Sequence, residues 1–191
     1  MTTSFPPFTD PSQVAYELRT AGYALLRPLD VAALAGCGVD DLDALAPSWN
    51  RLAPDNYLKD GGHYRRRRHS CFIDDGANLA QAPHRAHWQP VEYNALHGGM
   101  ERWFEPIEEP FVRSPAWTRL LHAMAGLSSS LKGEHPWVVE AHQFRIDTEG
   151  GIGRPTPEGA HRDGVELVAV FLVGREGIKG GETRVFDAAG P

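Results

Sequence analysis

His161 and Asp163 stand two apart in "PEGAHRDGVELVAVFLVG", residues 157–174. An imidazole nitrogen and a carboxylate oxygen are donor types that bind divalent first-row metals. In a strand, residues i and i+2 project from one face, so this pair would point together and Arg162 away. Such a pair supplies two of the three ligands of a 2-His-1-carboxylate facial triad, which holds Fe(II) and leaves three positions open for a cosubstrate and O2. The residues that follow predict a strand: Val165, Leu167, Ala169, Phe171 and Val173 continue the ligand face, and Val168, Val170 and Leu172 make the other face apolar. A strand buried on both faces is a rigid mount for a site. The plainer reading makes Asp163-Gly164 a turn and His161 a loop residue. The two-residue motif by itself favours that reading.

Other residues invite chemistry less directly. "YRRRRHS", 64–70, places Arg65 and Arg67 on one face of a strand and Arg66 and Arg68 on the other. One pair can form surface ion pairs while the other meets a substrate carboxylate bidentately; Arg66 and Arg68 are the candidates for the second role. Gln143 and Arg145 share a face of "VVEAHQFRID" and are candidates for contacting substrate or cosubstrate. Trp88, Trp103 and Trp117 read as core or loop anchors.

The elements that must position these residues follow from local signals. Asp10 as N-cap, Pro11 and Gln13 predict a first helix carrying Val14, Leu18 and Ala21, stopped by Gly22. "YALLR", 23–27, is a strand candidate. Asp30 caps a second helix reaching about Ala35, and 39–49 offers a third. Strand residues fill 62–74 between turn signals. Residues 75–110, rich in Pro, His, Gly and Trp, read as long irregular connections over a cleft. Ser114 and Pro115 open a helix over 114–131. Strands are predicted at 136–147, at 162–174 and at 182–187, the first two separated by a Gly/Pro loop. Helices precede strands, so the class is α+β or mainly β with a helical cover.

Bulk properties narrow the function. The chain has 191 residues, 41% hydrophobic and 23% charged, with a formal net charge of −6. That suits a single soluble domain, helix-rich over 1–60 and β over 61–191, and argues against a nucleic-acid partner, which would find a basic face. No apolar window is long enough for a membrane span. Two cysteines, Cys37 and Cys71, make no disulfide framework, which fits a reducing cytoplasm.

Taken together, "HQFRI", "GRPTPEGAHRDG" and "ELVAVFLVGREGIKGGETRVFD" resemble the Fe(II)/2-oxoglutarate-dependent dioxygenases. They are similar in particular to the bacterial branch of free-amino-acid hydroxylases that includes isoleucine dioxygenase. The shared set is Pro157-Glu158-Gly159, the His161/Asp163 pair, the apolar run and Gly180-Gly181-Glu182. "YLKDGGHYRRRRHSCF" resembles the family's Arg-rich strand more loosely. The resemblance implies a double-stranded β-helix (jelly roll) with helices packed on one side. It implies Fe(II) as cofactor, with His161 and Asp163 as its first two ligands, and 2-oxoglutarate as cosubstrate. The implied reaction couples decarboxylation of 2-oxoglutarate to hydroxylation of a small substrate, a free amino acid in that branch, whose carboxylate the arginines could hold.

The family's third ligand is a later histidine, followed by an arginine for 2-oxoglutarate, and neither has a match here. Only 28 residues follow Asp163, too few for the closing strands of a jelly roll. Three explanations stay open: a fragment of a longer protein, a second chain supplying the missing parts through open sheet edges, or another histidine standing in, His142 being nearest. Truncation is the expectation. A catalytically silent homologue that at most binds a partner is the alternative function, and hydrolytic chemistry with a different metal is another.

Overall fold

The structure is a computed structural model and describes residues 6–94, 96–148, 151–155 and 159–187. Its N-terminal part is a chain of short helices. Asp10 caps as expected, accepting from Ser12 N at 2.9 Å, and a 3-10 turn at Pro11–Gln13 leads into α1 (Val14–Thr20). Gln13 closes no capping box, because its side chain turns to Ser12 Oγ instead. In α2 (Pro28–Ala35) the N-cap is Arg27, not Asp30. Asp30 sits at the third helical position and accepts from Arg27 N at 3.1 Å, a place Pro28 dictates by starting the helix. Gly36 ends it in the left-handed region at φ 64°. α3 (Val39–Asp43) gives way to a 3-10 stretch at Ala46–Arg51. Residues 23–27 form no strand; Leu25 O accepts a single backbone bond from Thr9 N at 2.7 Å.

A three-stranded antiparallel sheet of order β2-β1-β3 holds the middle of the chain. β1 (Arg65–Asp74) and β3 (Trp137–Ile146) pair along their whole length, with His69 opposite His142 and Cys71 opposite Glu140. β2 (Leu79–Gln81) joins only the end of β1. Elsewhere that edge of β1 is met by irregular segments: Asp55 N donates to Arg65 O, Arg67 N to Ala53 O and His69 N to Glu105 O. These bonds satisfy a central strand without a second full partner.

One face of the sheet packs on helices. Phe72 and Ala141 meet Phe111 of α4 (Glu109–Val112), Trp117 and Leu121 of α5 (Pro115–Lys132), and Ile107. Phe111 and Trp117 lie 4.9 Å apart, and Phe72 meets Trp117 edge-on at 5.9 Å. Ala141 is buried within this cluster. Replacing it with Leu is expected to cost ~1–3 kcal/mol through overpacking, read as a lower urea midpoint with an unchanged m-value.

The C-terminal expectation is corrected. Among the described residues of 151–187 there is no strand, so the elements anticipated at 162–174 and 182–187 are coil here. A strand needs a ladder partner for its backbone groups, and this run has none among the described residues. Its apolar side chains stand in solvent, Val170 at 78% and Leu172 at 79% exposed. Pro157 and Glu158 lie outside the described residues.

Candidate metal centre

His161 and Asp163 do come together, though on a loop. His161 Nε2 lies 3.5 Å from Asp163 Oδ1. Two atoms that close can share one ion at ordinary bond lengths of ~2.1 Å. The ring orientation also fits. His161 Nδ1 donates to Gly159 O at 2.9 Å, so Nε2, the nitrogen turned toward Asp163, is the one placed to meet a metal.

The irregular segment 87–102 holds this loop. Gln89 Nε2 donates to Asp163 Oδ1 at 3.3 Å. Gln89 Oε1 in turn accepts from Asn94 Nδ2 at 3.0 Å and Arg102 Nη2 at 2.9 Å. Gly164 adopts φ +71° against Tyr93, and a Cβ there would come within 2.6 Å of the ring. Glycine is therefore required by both conformation and space.

The four substrate-binding candidates lie elsewhere. Arg66, Arg68, Gln143 and Arg145 share one side of the sheet, Arg66 opposite Arg145 and Arg68 opposite Gln143. It is the side that packs on the helices. Arg68 Nη1 donates to Pro106 O at 2.8 Å, and buried Gln143 donates to Ser48 Oγ at 2.7 Å. Arg145 reaches Asp147 at 3.3 Å. The structure does not bring these four to His161 and Asp163. Trp117 is a core residue, while Trp88 and Trp103 are exposed.

The opposite side of the sheet carries a second donor set. His69 on β1, Glu140 and His142 on β3, and His87 from the covering segment offer ligand atoms all within 4.8 Å of one another. His69 and His142 stack at 4.6 Å as cross-strand partners, and His87 packs against both. His87 Nδ1 donates to Glu140 Oε2 at 2.9 Å. Arg67 Nη2 donates to His142 Nδ1 at 2.9 Å. The Arg67 guanidinium lies over the rings of Phe104 at 3.9 Å and Phe144 at 4.6 Å.

Burial governs the electrostatics of this face. It lowers the His69 pKa to about 4 and holds His142 well below the usual imidazole value, so both rings are neutral near pH 7. It also brings Arg67 down to about 9. Burial pushes the Glu140 carboxyl up, but the His87 hydrogen bond, the neighbouring charges and Arg85 prevail and hold it at about 2. His69 and His142 thus offer neutral nitrogens beside one ionised carboxylate.

Sequence reasoning passed over this cluster except for His142. The i, i+2 rule that singled out His161/Asp163 applies equally to Glu140/His142 and to Arg67/His69/Cys71. His87 carried no signal, since only the tertiary path of segment 82–105 lays it over the sheet.

The 2OG-Fe dioxygenase family model matches residues 46–191. The chain belongs to that family, whose cofactor is Fe(II) and whose cosubstrate is 2-oxoglutarate. Among solved structures it is similar to a bsmA homologue from Methylobium petroleophilum PM1, with 50% identity and a TM-score of 0.78 over 84% of this chain and 66% of that one. It is also similar in fold to IDO from Bacillus thuringiensis, with 14% identity and a TM-score of 0.56 over 81% of this chain and 66% of that one. The chain thus spans 66% of the length of each. None of the curated proteins matches. Among the described residues no helix is long and apolar enough to cross a membrane.

Proposed function

We propose that the protein is a non-haem Fe(II)/2-oxoglutarate-dependent dioxygenase in which His161 and Asp163 are two of the iron ligands. The observation that carries this reading is the 3.5 Å approach of His161 Nε2 to Asp163 Oδ1, with the ring oriented by the Nδ1–Gly159 O hydrogen bond. The reaction consumes 2-oxoglutarate, O2 and a substrate C–H bond and yields succinate, CO2 and the hydroxylated product. Bound iron supplies the oxidation chemistry. The chain's own part is to hold two donors in place and to restrict water. The third ligand and the 2-oxoglutarate carboxylate anchor are unassigned within residues 1–191.

The finer reading has three parts. An incomplete jelly-roll core over 61–191, of which the β2-β1-β3 sheet is the part formed here, is covered by the helix-rich 1–60 as one cytoplasmic domain. The substrate is a small molecule, a free amino acid by resemblance to that hydroxylase branch. All four carboxylate-binding candidates have protein partners: Arg66 bonds Leu52 O at 3.4 Å and Arg145 pairs with Asp147 at 3.3 Å, while Arg68 and Gln143 bond Pro106 O and Ser48 Oγ; a substrate carboxylate would displace the Asp147 pair at Arg145. No feature of the site favours the alternative of a catalytically silent fragment.

The test is Fe(II)-dependent conversion of 2-oxoglutarate to succinate by the purified protein; no succinate above a metal-free control rejects the reading. Gln89 gives a further check. Gln89→Leu removes the donor to Asp163 and is expected to raise the Fe(II) concentration for half-maximal activity ~10–100-fold, the usual effect of losing a bond that orients a metal ligand. An unchanged Fe(II) requirement would show that Gln89 orients nothing.

A further inference from the structure

We infer that the side of the sheet away from the helices holds a second metal site, a divalent transition-metal site made by His69, His87 and Glu140 and separate from the His161/Asp163 pair. Three features carry it. The ligand atoms already lie within 4.8 Å of one another, so small side-chain movements suffice to contract them onto one ion. His69 is 1% exposed and its Nδ1 has no hydrogen-bond partner, an open demand of the kind a ligand fills. Glu140 reaches solvent while His69 and His87 are buried, which gives an ion a way in. The ion takes the place of the proton that His87 Nδ1 and Glu140 Oε2 now hold between them at 2.9 Å.

His142 is the fourth member of the group but not a ligand in this arrangement. An arginine only donates, so the Arg67 bond makes His142 Nδ1 an acceptor and leaves the proton on Nε2. His142 instead stacks on His69 and fixes its ring plane. The surrounding charge sets the choice of ion. Arg85 shares Glu140 at 3.1 Å, and Arg67 borders the histidines, so a dication gains little from net charge. Binding must come from the imidazole nitrogens, which favours Zn(II), Co(II) or Ni(II) over Mg(II) or Ca(II).

The experiment uses the full chain carrying Asp163→Ala, which removes a donor of the other pair from an exposed loop. Titration with Co(II), followed by its visible d–d absorption and by elemental analysis, is expected to show one bound equivalent that excess Mg(II) does not displace. Adding His87→Ala and Glu140→Gln is expected to weaken Co(II) binding at least about tenfold. Because those changes could disturb the sheet, Zn(II) is also titrated into Asp163→Ala labelled with 15N at histidine. The His69 and His87 ring signals are expected to shift with the added Zn(II). No Co(II) bound by Asp163→Ala, or Co(II) held equally by the triple variant, or Zn(II) leaving both rings unmoved, overturns the site. None of these outcomes depends on turnover of 2-oxoglutarate, so failure here and failure of the oxygenase reading are separable.

Discussion

Asp163→Ala is expected to lower Fe(II)-dependent succinate formation by at least about 100-fold, beyond the ~10–100-fold typical of losing an outer-shell partner. The reason is local. Asp163 Oδ1 lies 3.5 Å from His161 Nε2, and alanine leaves one nitrogen donor where there were a nitrogen and a charge. Because the loop is exposed, its thermal stability should stay within about 0.5 kcal/mol of the parent. That split, activity lost and stability kept, is what separates a ligand from a structural residue. Asp163→Asn, which keeps an oxygen but not the charge, should fall between the two. Equal turnover by all three proteins would remove Asp163 from the site.

The largest stability effect is expected at Asp55. Its carboxylate accepts from Arg65 Nε at 2.7 Å, with side-chain exposures of 4% for Arg65 and 0% for Asp55, and from Tyr57 N at 3.0 Å. Asp55→Ala strands the Arg65 guanidinium in the interior and is expected to destabilise the fold by ~3–5 kcal/mol. That is a large part of the ~5–15 kcal/mol a domain usually has. Removing both charges together, as Asp55→Leu with Arg65→Met, should restore most of the loss, since a buried pair adds little over apolar groups of similar size. Urea unfolding of the single and double variants decides it. A loss below about 1 kcal/mol for Asp55→Ala would mean that Arg65 finds another partner or water.

The same arginine strand shows what was legible in the sequence. The alternation of 65–68 correctly divides four arginines between two faces of the sheet, one toward the helices and one toward the histidines. Which pair does which is not in the alternation. Arg67, not Arg66 or Arg68, stands beside the histidines, because the helices occupy the other face. β1, β3 and α5 were readable from strand composition between turns and from Ser114-Pro115. β2 is three residues long, too short for a periodicity signal. The 162–174 run is apolar on both faces and reads as a strand, yet a strand depends on its neighbours, and here the run lies unpaired. His161 and Asp163 still meet, because a Gly159 carbonyl and Gln89 orient them where strand geometry was expected to.

The most direct test of the iron assignment is anaerobic titration of the protein with Fe(II) and 2-oxoglutarate, watching for the visible charge-transfer band of chelated cosubstrate. The account predicts a saturable band in the parent that is absent in Asp163→Ala and retained in His87→Ala with Glu140→Gln. A band that survives in Asp163→Ala and vanishes in the His87/Glu140 variant would place the iron on the sheet cluster and contradict it.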